Sequence, residues 1–191
     1  MLLYIHGFNS SPASFKANVL KESFARAGRG NELLCPALPH RPAQAMAILE
    51  AILPQHNLDR ITLVGSSLGG FYATYLTEKY GTRCVLLNPA IFPHDGLRDY
   101  LGSQKNLYTS EEYLLTEQHL DEMRTLFVPQ LNRLERYLLI TATGDEVLDY
   151  RDSVARYAGA EQIVIQGSDH GMSDFADHVD KIMSFAGVRP L

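Results

Sequence analysis

Ile61-Thr62-Leu63-Val64-Gly65-Ser66-Ser67-Leu68-Gly69-Gly70 is a short β-prone run that breaks into a glycine-flanked serine and then into helix-forming sequence. Gly65-Ser66-Ser67-Leu68-Gly69 fits G-x-S-x-G with Ser67 at its centre. A strand before it and a helix after it make the context of a nucleophile elbow. The turn is so tight that side chains two residues either side of the serine are expected to collide with it, and Gly65 and Gly69 remove them. The serine hydroxyl would then stand at the carboxyl end of a strand and at a helix N-terminus, where negative charge is favoured. The plainer reading is a Gly/Ser turn in which Ser66 or Ser67 merely caps the helix.

Working outward from this turn, apolar runs of strand length alternate with amphipathic stretches. Strands are expected at Leu2–His6, Leu33–Ala37, Arg60–Gly65, Cys84–Leu87, Tyr137–Ala142 and Gln162–Ile165. Helices are expected at Ser14–Ala27, Pro42–Leu53, Leu68–Tyr80, Tyr150–Tyr157 and Asp174–Phe185. Pro42 is tolerated in a first helical turn, and Gly81 suits a left-handed cap. The strands read as near-continuous apolar runs, which suits strands buried on both faces. The expectation is an α/β fold: a mostly parallel sheet of about six strands, helices on both faces, and right-handed crossovers.

One segment, about 92–135, breaks this rhythm. No strand is evident in it, and Leu101–Asn106 reads as a loop. Thr109 and Glu112 form a T-x-x-E capping box that predicts a helix over about Ser110–Leu126. A long helical insertion before the penultimate strand suits a lid or binding element, though a pair of packing helices would look the same. If the helix presents an apolar stripe to the substrate, Tyr113 and Met123 are candidates for the pocket wall.

A serine hydroxyl needs a base, and in this topology an acid and then a histidine follow the serine along the chain. Of the 7 histidines, only His170 and His178 lie late. His170 is in a loop after the strand that ends at Ile165, whereas His178 falls within a helix pattern. Asp145 follows Thr143-Gly144 at the end of the Tyr137–Ala142 strand, and Asp149 suits a helix cap instead. The expected triad is therefore Ser67, Asp145 and His170. The backbone N–H groups of Phe8, in the loop after the first strand, and of Leu68, after the serine, are the candidate oxyanion donors. His6 is assigned a structural hydrogen-bonding role.

At 191 residues, a chain of this size buries roughly 70% of its unfolded surface, enough for a full core. One domain, 1–191, is expected. The net charge of -5 argues against a nucleic-acid partner. No apolar run of 18 residues argues for a membrane span. The opening residues lack a basic region and a long apolar run, so cytoplasm is the default. Cys35 and Cys84 read as buried free thiols. No metal-ligand spacing, Walker A loop or dinucleotide fingerprint is present, and no metal site is expected.

The HGF loop, the elbow, Asp145 and His170 together resemble the α/β-hydrolase superfamily, and more closely the small bacterial YqiA-like esterases. The matching stretches are Tyr4-Ile5-His6-Gly7-Phe8-Asn9-Ser10-Ser11-Pro12, Leu63–Ala73, Tyr100-Leu101-Gly102-Ser103-Gln104-Lys105-Asn106 and Thr143-Gly144-Asp145-Glu146-Val147-Leu148-Asp149-Tyr150-Arg151. The resemblance implies a compact hydrolase that begins at the third strand of the larger fold. It also implies action on acyl esters or thioesters and no cofactor. Asp169-His170-Gly171-Met172 departs from the family, which usually places a more aromatic stretch after the histidine. The expected function is a serine carboxylesterase acting on small-molecule, short- to medium-chain acyl esters. The alternatives are an acyl-CoA thioesterase or a non-catalytic ligand-binding protein on the same scaffold. Oligomeric state is left open.

Overall fold

A computed structural model describes residues 1–188; the last three residues of the expected domain, 189–191, lie outside the described residues. The elements in chain order are β1 (Leu2–Ile5), α1 (Phe15–Arg26), β2 (Leu33–Leu34), α2 (Pro42–Ile52), β3 (Thr62–Ser66), α3 (Leu68–Tyr80), β4 (Arg83–Leu87) and α4 (Pro93–Gly96). They continue with β5 (Gly102–Lys105), β6 (Glu112–Leu115), α5 (Glu117–Thr125), β7 (Tyr137–Ala142), α6 (Tyr150–Arg156), β8 (Glu161–Ile165) and α7 (Val179–Phe185). Six strands form one sheet in the order β2-β1-β3-β4-β7-β8. Every pairing in it is parallel. The chain leaves β1 for one edge and returns to β3 on the other side of β1. This reversal opens a crevice at the carboxyl ends of β1 and β3, where ligands bind in open α/β sheets.

Strand alternation sends side chains to two cores. Leu3, Ile5, Leu63, Leu86 and Leu139 pack with Leu49 of α2, Leu76 of α3 and Met123 of α5. Leu2, Tyr4, Val64, Val85, Leu87 and Ile140 pack with Leu20 and Phe24 of α1 and Ile182 of α7. The four central strands are therefore covered on both faces, as their unbroken apolar sequence implied. At the edge, β8 is only partly covered. The last helix is shorter than expected: a 3-10 turn at Phe175–His178 precedes α7.

The insertion differs from its expected form. Residues 102–105 and 112–115 pair as an antiparallel hairpin, with Gln104 opposite Tyr113. Thr109 and Glu112 are not a helix start; they lie in and just after the turn. The Asn106 side chain accepts from the N–H groups of Tyr108 and Thr109 at 2.9 and 3.0 Å, and Ser110 adopts φ 61°. This local Asx arrangement competes with helix initiation and wins because 112–115 finds a strand partner. The helix starts later, at Glu117. There Thr116 caps it, and the Thr116 N–H donates to His119 Nδ1 at 3.2 Å. The insertion is thus the short helix α4, then a hairpin, then the helix α5.

Candidate active site

Ser67 follows β3 directly and has φ 54°, ψ -122°. A non-glycine residue there carries strain of about 1–3 kcal/mol, sustained only where the surroundings over-determine it. Here its N–H donates to the Leu87 carbonyl at 3.0 Å, and its carbonyl accepts from Gly70 and Ala90 at 2.8 and 3.1 Å. The flanking glycines act differently from the simple picture of clashes with the serine. A Cβ on Gly65 would strike the backbone of Gly69 and Gly70, and one on Gly69 would strike the carbonyls of Ile5 and His6. They are needed because the elbow lies on itself and on β1.

His170 Nε2 is 3.1 Å from Ser67 Oγ, and His170 Nδ1 is 2.8 Å from Asp145 Oδ2. The Asp145 side chain is nearly inaccessible, and its second oxygen accepts from the N–H groups of Val147 and Leu148, both at 2.8 Å. Burial alone would raise this carboxyl. The His170 hydrogen bond and the two amides outweigh it and hold the group below the ordinary carboxylate range. Asp149 caps α6 through the Arg151 N–H at 3.0 Å and pairs with the Arg151 guanidinium. His178 lies 3.5 Å from Asp174 on its own turn.

Two groups that the sequence reading passed over hold the histidine loop. Asn88, buried just after β4, donates to the carbonyls of Asp169 and His170 at 3.1 and 3.3 Å. It also accepts from the Ala142 N–H at 2.8 Å, tying the loop to β7. Lys16 at the start of α1 donates to the Gly171 carbonyl at 2.7 Å. The only sequence signal for Asn88 was an Asn-Pro pair after a strand.

Phe8 and Leu68 line the same cleft as Ser67 and His170. Among the described residues, neither of their backbone N–H groups has an acceptor within the protein. The buried His6 accepts from the Leu38 N–H at 3.2 Å through Nε2, and Nδ1 lies 3.2 Å from the Gly7 carbonyl. Burial lowers its pKa, so the neutral ring is the structural one.

The hairpin is fastened to this loop. Tyr113 donates to Asn9 Oδ1 at 2.7 Å, Asn9 donates to Gln104 at 3.1 Å, the Leu107 N–H donates to the Asn9 carbonyl at 3.1 Å, and Asn106 donates to the Ser10 carbonyl at 2.9 Å. Tyr113 is therefore a strut behind the loop, and it does not line either cleft that holds Ser67. Met123 is 1% exposed and belongs to the core. Met123 on α5 packs in the core and Tyr113 lies on β6, so neither of the two expected wall residues lines a cleft at Ser67.

Ser67 and His170 lie between two clefts. One, of about 690 Å³, has walls from Pro89, Ile91, Phe92, Leu97, Tyr100 and Leu148, and carries Asp95, Asp99, Asp149 and Asp152. The other, of about 400 Å³, is walled by the β1–α1 loop, the hairpin turn and the His170 loop. Among the described residues, no three His, Cys, Asp or Glu side chains are placed to hold a metal ion, and no helix is long and apolar enough to cross a membrane. Both cysteines are free; Cys84 is buried, whereas Cys35 is only half-buried.

Residues 1–187 match the model of an uncharacterised protein family, UPF0227. A relative, UPF0227 protein YcfP of Salmonella gallinarum, is 25% identical over 97% of this chain and 98% of its own length. Solved structures share the α/β-hydrolase fold. A putative hydrolase from Agrobacterium vitis superposes with a TM-score of 0.72 at 16% identity, covering 97% of this chain and 87% of the other. Est1E from Butyrivibrio proteoclasticus, in its ferulic-acid complex, superposes with a TM-score of 0.68 at 15% identity, covering 98% and 89%.

Proposed function

The chain belongs to the UPF0227 family, and from its site we propose that it is a serine carboxylesterase acting on uncharged acyl esters of short to medium chain length. The observation that carries this reading is the continuous chain from Asp145 Oδ2 to His170 Nδ1 at 2.8 Å and from His170 Nε2 to Ser67 Oγ at 3.1 Å. Asp145 selects the tautomer with the proton on Nδ1, which leaves Nε2 free to take the serine proton. Ser67 Oγ attacks the acyl carbon, the proton moves to Nε2, and the N–H groups of Phe8 and Leu68 receive the oxyanion. His170 returns the proton to the leaving alcohol. Water then cleaves the acyl-enzyme by the same proton path.

The 690 Å³ cleft supports the acyl assignment, with an apolar floor and four aspartates. Each buried methylene contributes about 0.8 kcal/mol until the floor is covered. The carboxylates disfavour anionic acyl groups and repel the carboxylate product. An active-site fluorophosphonate probe tests the reading: labelling at Ser67, lost in Ser67→Ala and prevented by a butyrate ester, supports it. A folded protein that neither labels nor hydrolyses any ester overturns it.

A further inference from the structure

His170 is held by its main chain as well as by its ring. The Asp145 carboxylate takes the imidazole at Nδ1, and the next residue, Glu146, accepts the His170 main-chain N–H on Oε2 at 3.0 Å. Two consecutive carboxylates in the loop after β7 thus grip both ends of one histidine. The carbonyls of Asp169 and His170 accept from the Asn88 side chain at 3.1 and 3.3 Å, and the Gly171 carbonyl accepts from Lys16 Nζ at 2.7 Å. Side chains from α1, from the end of β4 and from the loop after β7 therefore converge on the backbone of three residues. The loop they hold is bracketed by Ser168 and Met172, with φ 58° and 53°. Non-glycine residues in this left-handed region are strained, and they persist only where the surroundings over-determine them. Met172 is fully buried and anchors one end. At the other end the Gly144 N–H donates to the Gly167 carbonyl at 2.9 Å, and a Cβ on Gly144 would strike the Ser168 carbonyl. The acid loop and the histidine loop lie directly against each other.

Asn88 is buried and also bonds to β7, so its role in the sheet and its role in the loop are joined. Glu146 and Lys16 differ from it. Glu146 is exposed, Lys16 is half-buried, and the hydrogen bond each makes runs to the histidine loop. A single bond near the surface adds little to folding stability, but it removes freedom of movement. We propose that Glu146 and Lys16 are positioning residues, which keep the His170 imidazole aimed at Ser67 by fixing the main chain on either side of the histidine. The inference rests on the esterase reading. The bond to Asp145 fixes the ring at one nitrogen and sets its tautomer. About that point the ring still pivots if the main chain shifts, and Nε2 then swings away from the serine, 3.1 Å distant. Fixing the main chain as well leaves Nε2 one place to lie. Burial lowers the Lys16 pKa to about 8, against the pull of Asp169 and Asp145, so the ammonium is still charged at neutral pH and its bond to Gly171 is charge-assisted. Displacement of a reacting group by about 1 Å costs up to about 10² in rate, far more than the same bond contributes to folding.

The test assays ethyl butyrate hydrolysis by the wild type, Glu146→Ala, Glu146→Gln, Lys16→Met and Lys16→Arg. Glu146→Ala and Lys16→Met should each lower kcat about tenfold, with KM within about twofold of wild type and the urea midpoint unchanged. Glu146→Gln keeps an acceptor and Lys16→Arg keeps a charged donor, so both should recover most of the loss. The low-field Nδ1 proton of His170, observed by NMR, should be sharp in the wild type and the two conservative variants and broadened or lost in the two truncations. A truncation that leaves kcat unchanged overturns the assignment for that residue. A raised KM with kcat intact, a kcat loss with the proton signal untouched, or conservative variants no better than the truncations overturns the positioning role. If the wild type hydrolyses no ester and the truncations still alter the signal, the clamp stands and the esterase reading falls. Hydrolysis with a signal that neither truncation alters overturns the clamp alone.

Discussion

Ser67 is the residue on which the chemistry is proposed to turn, and it acts as part of a unit with its base. Ser67→Ala and His170→Ala should each lower kcat by a factor on the order of 10⁶, with the double variant little worse. Asp145→Asn should cost about 10⁴ by favouring the wrong imidazole tautomer. Single-turnover kinetics on the three variants check this, and a larger loss in Asp149→Asn than in Asp145→Asn would overturn the acid assignment. His6 gives a second prediction, in stability. Its folded pKa lies below the ordinary value of about 6.5, so between the two the unfolded chain takes up a proton that the folded protein refuses. Stability should therefore fall as the pH drops below about 6.5. Urea midpoints at pH 7.5 and 5.5 should show this in wild type and less of it in His6→Gln. Some slope should survive, because burial and the neighbouring His40 also lower His119.

At the scale of elements, the insertion divides its labour. Its first part, from Phe92 to Tyr100, walls the larger cleft; its hairpin braces the loop after β1; and α5 completes a core. Tyr113→Phe removes the donor to Asn9 and should lower kcat about tenfold with little change in KM. A raised KM with kcat intact would return Tyr113 to the substrate wall. Met123→Ala should cost about 2–5 kcal/mol of stability and leave the acyl-length optimum where it was. Leu97→Ala, which enlarges the cleft wall, should move that optimum to longer chains. An ester series from acetate to palmitate on the two variants separates core from cleft.

At the scale of the whole molecule, the sheet is buried on both sides in its centre and thinly covered at β8. Leu86 and Leu87 point to opposite cores, and both are fully buried. Leu86→Ala and Leu87→Ala should each cost about 2–5 kcal/mol by urea unfolding. On the edge strand, Val164 is 37% exposed, and Val164→Ala should cost under about 1 kcal/mol. Equal losses at all three positions would contradict the two-core arrangement.

The features that could be read along the chain were those whose causes are local. An apolar run flanked by turns is a strand wherever it falls, and a serine between glycines at a strand-to-helix junction has few conformations open to it. The order of serine, acid and base follows from that topology, so Ser67, Asp145 and His170 could all be named before the distances between them were known. Tertiary structure alone decided the rest. Residues 112–115 became a strand because 102–105 offered it a partner, against a local capping signal. An apolar stripe looks the same whether it faces a core or a ligand, so the roles of Met123 and Tyr113 depended on what lay opposite. Lys16 carries no local mark, and Asn88 only an Asn-Pro pair after a strand. Their importance arises from segments far apart in the chain meeting at one edge of the sheet, where each buried polar group must find a partner.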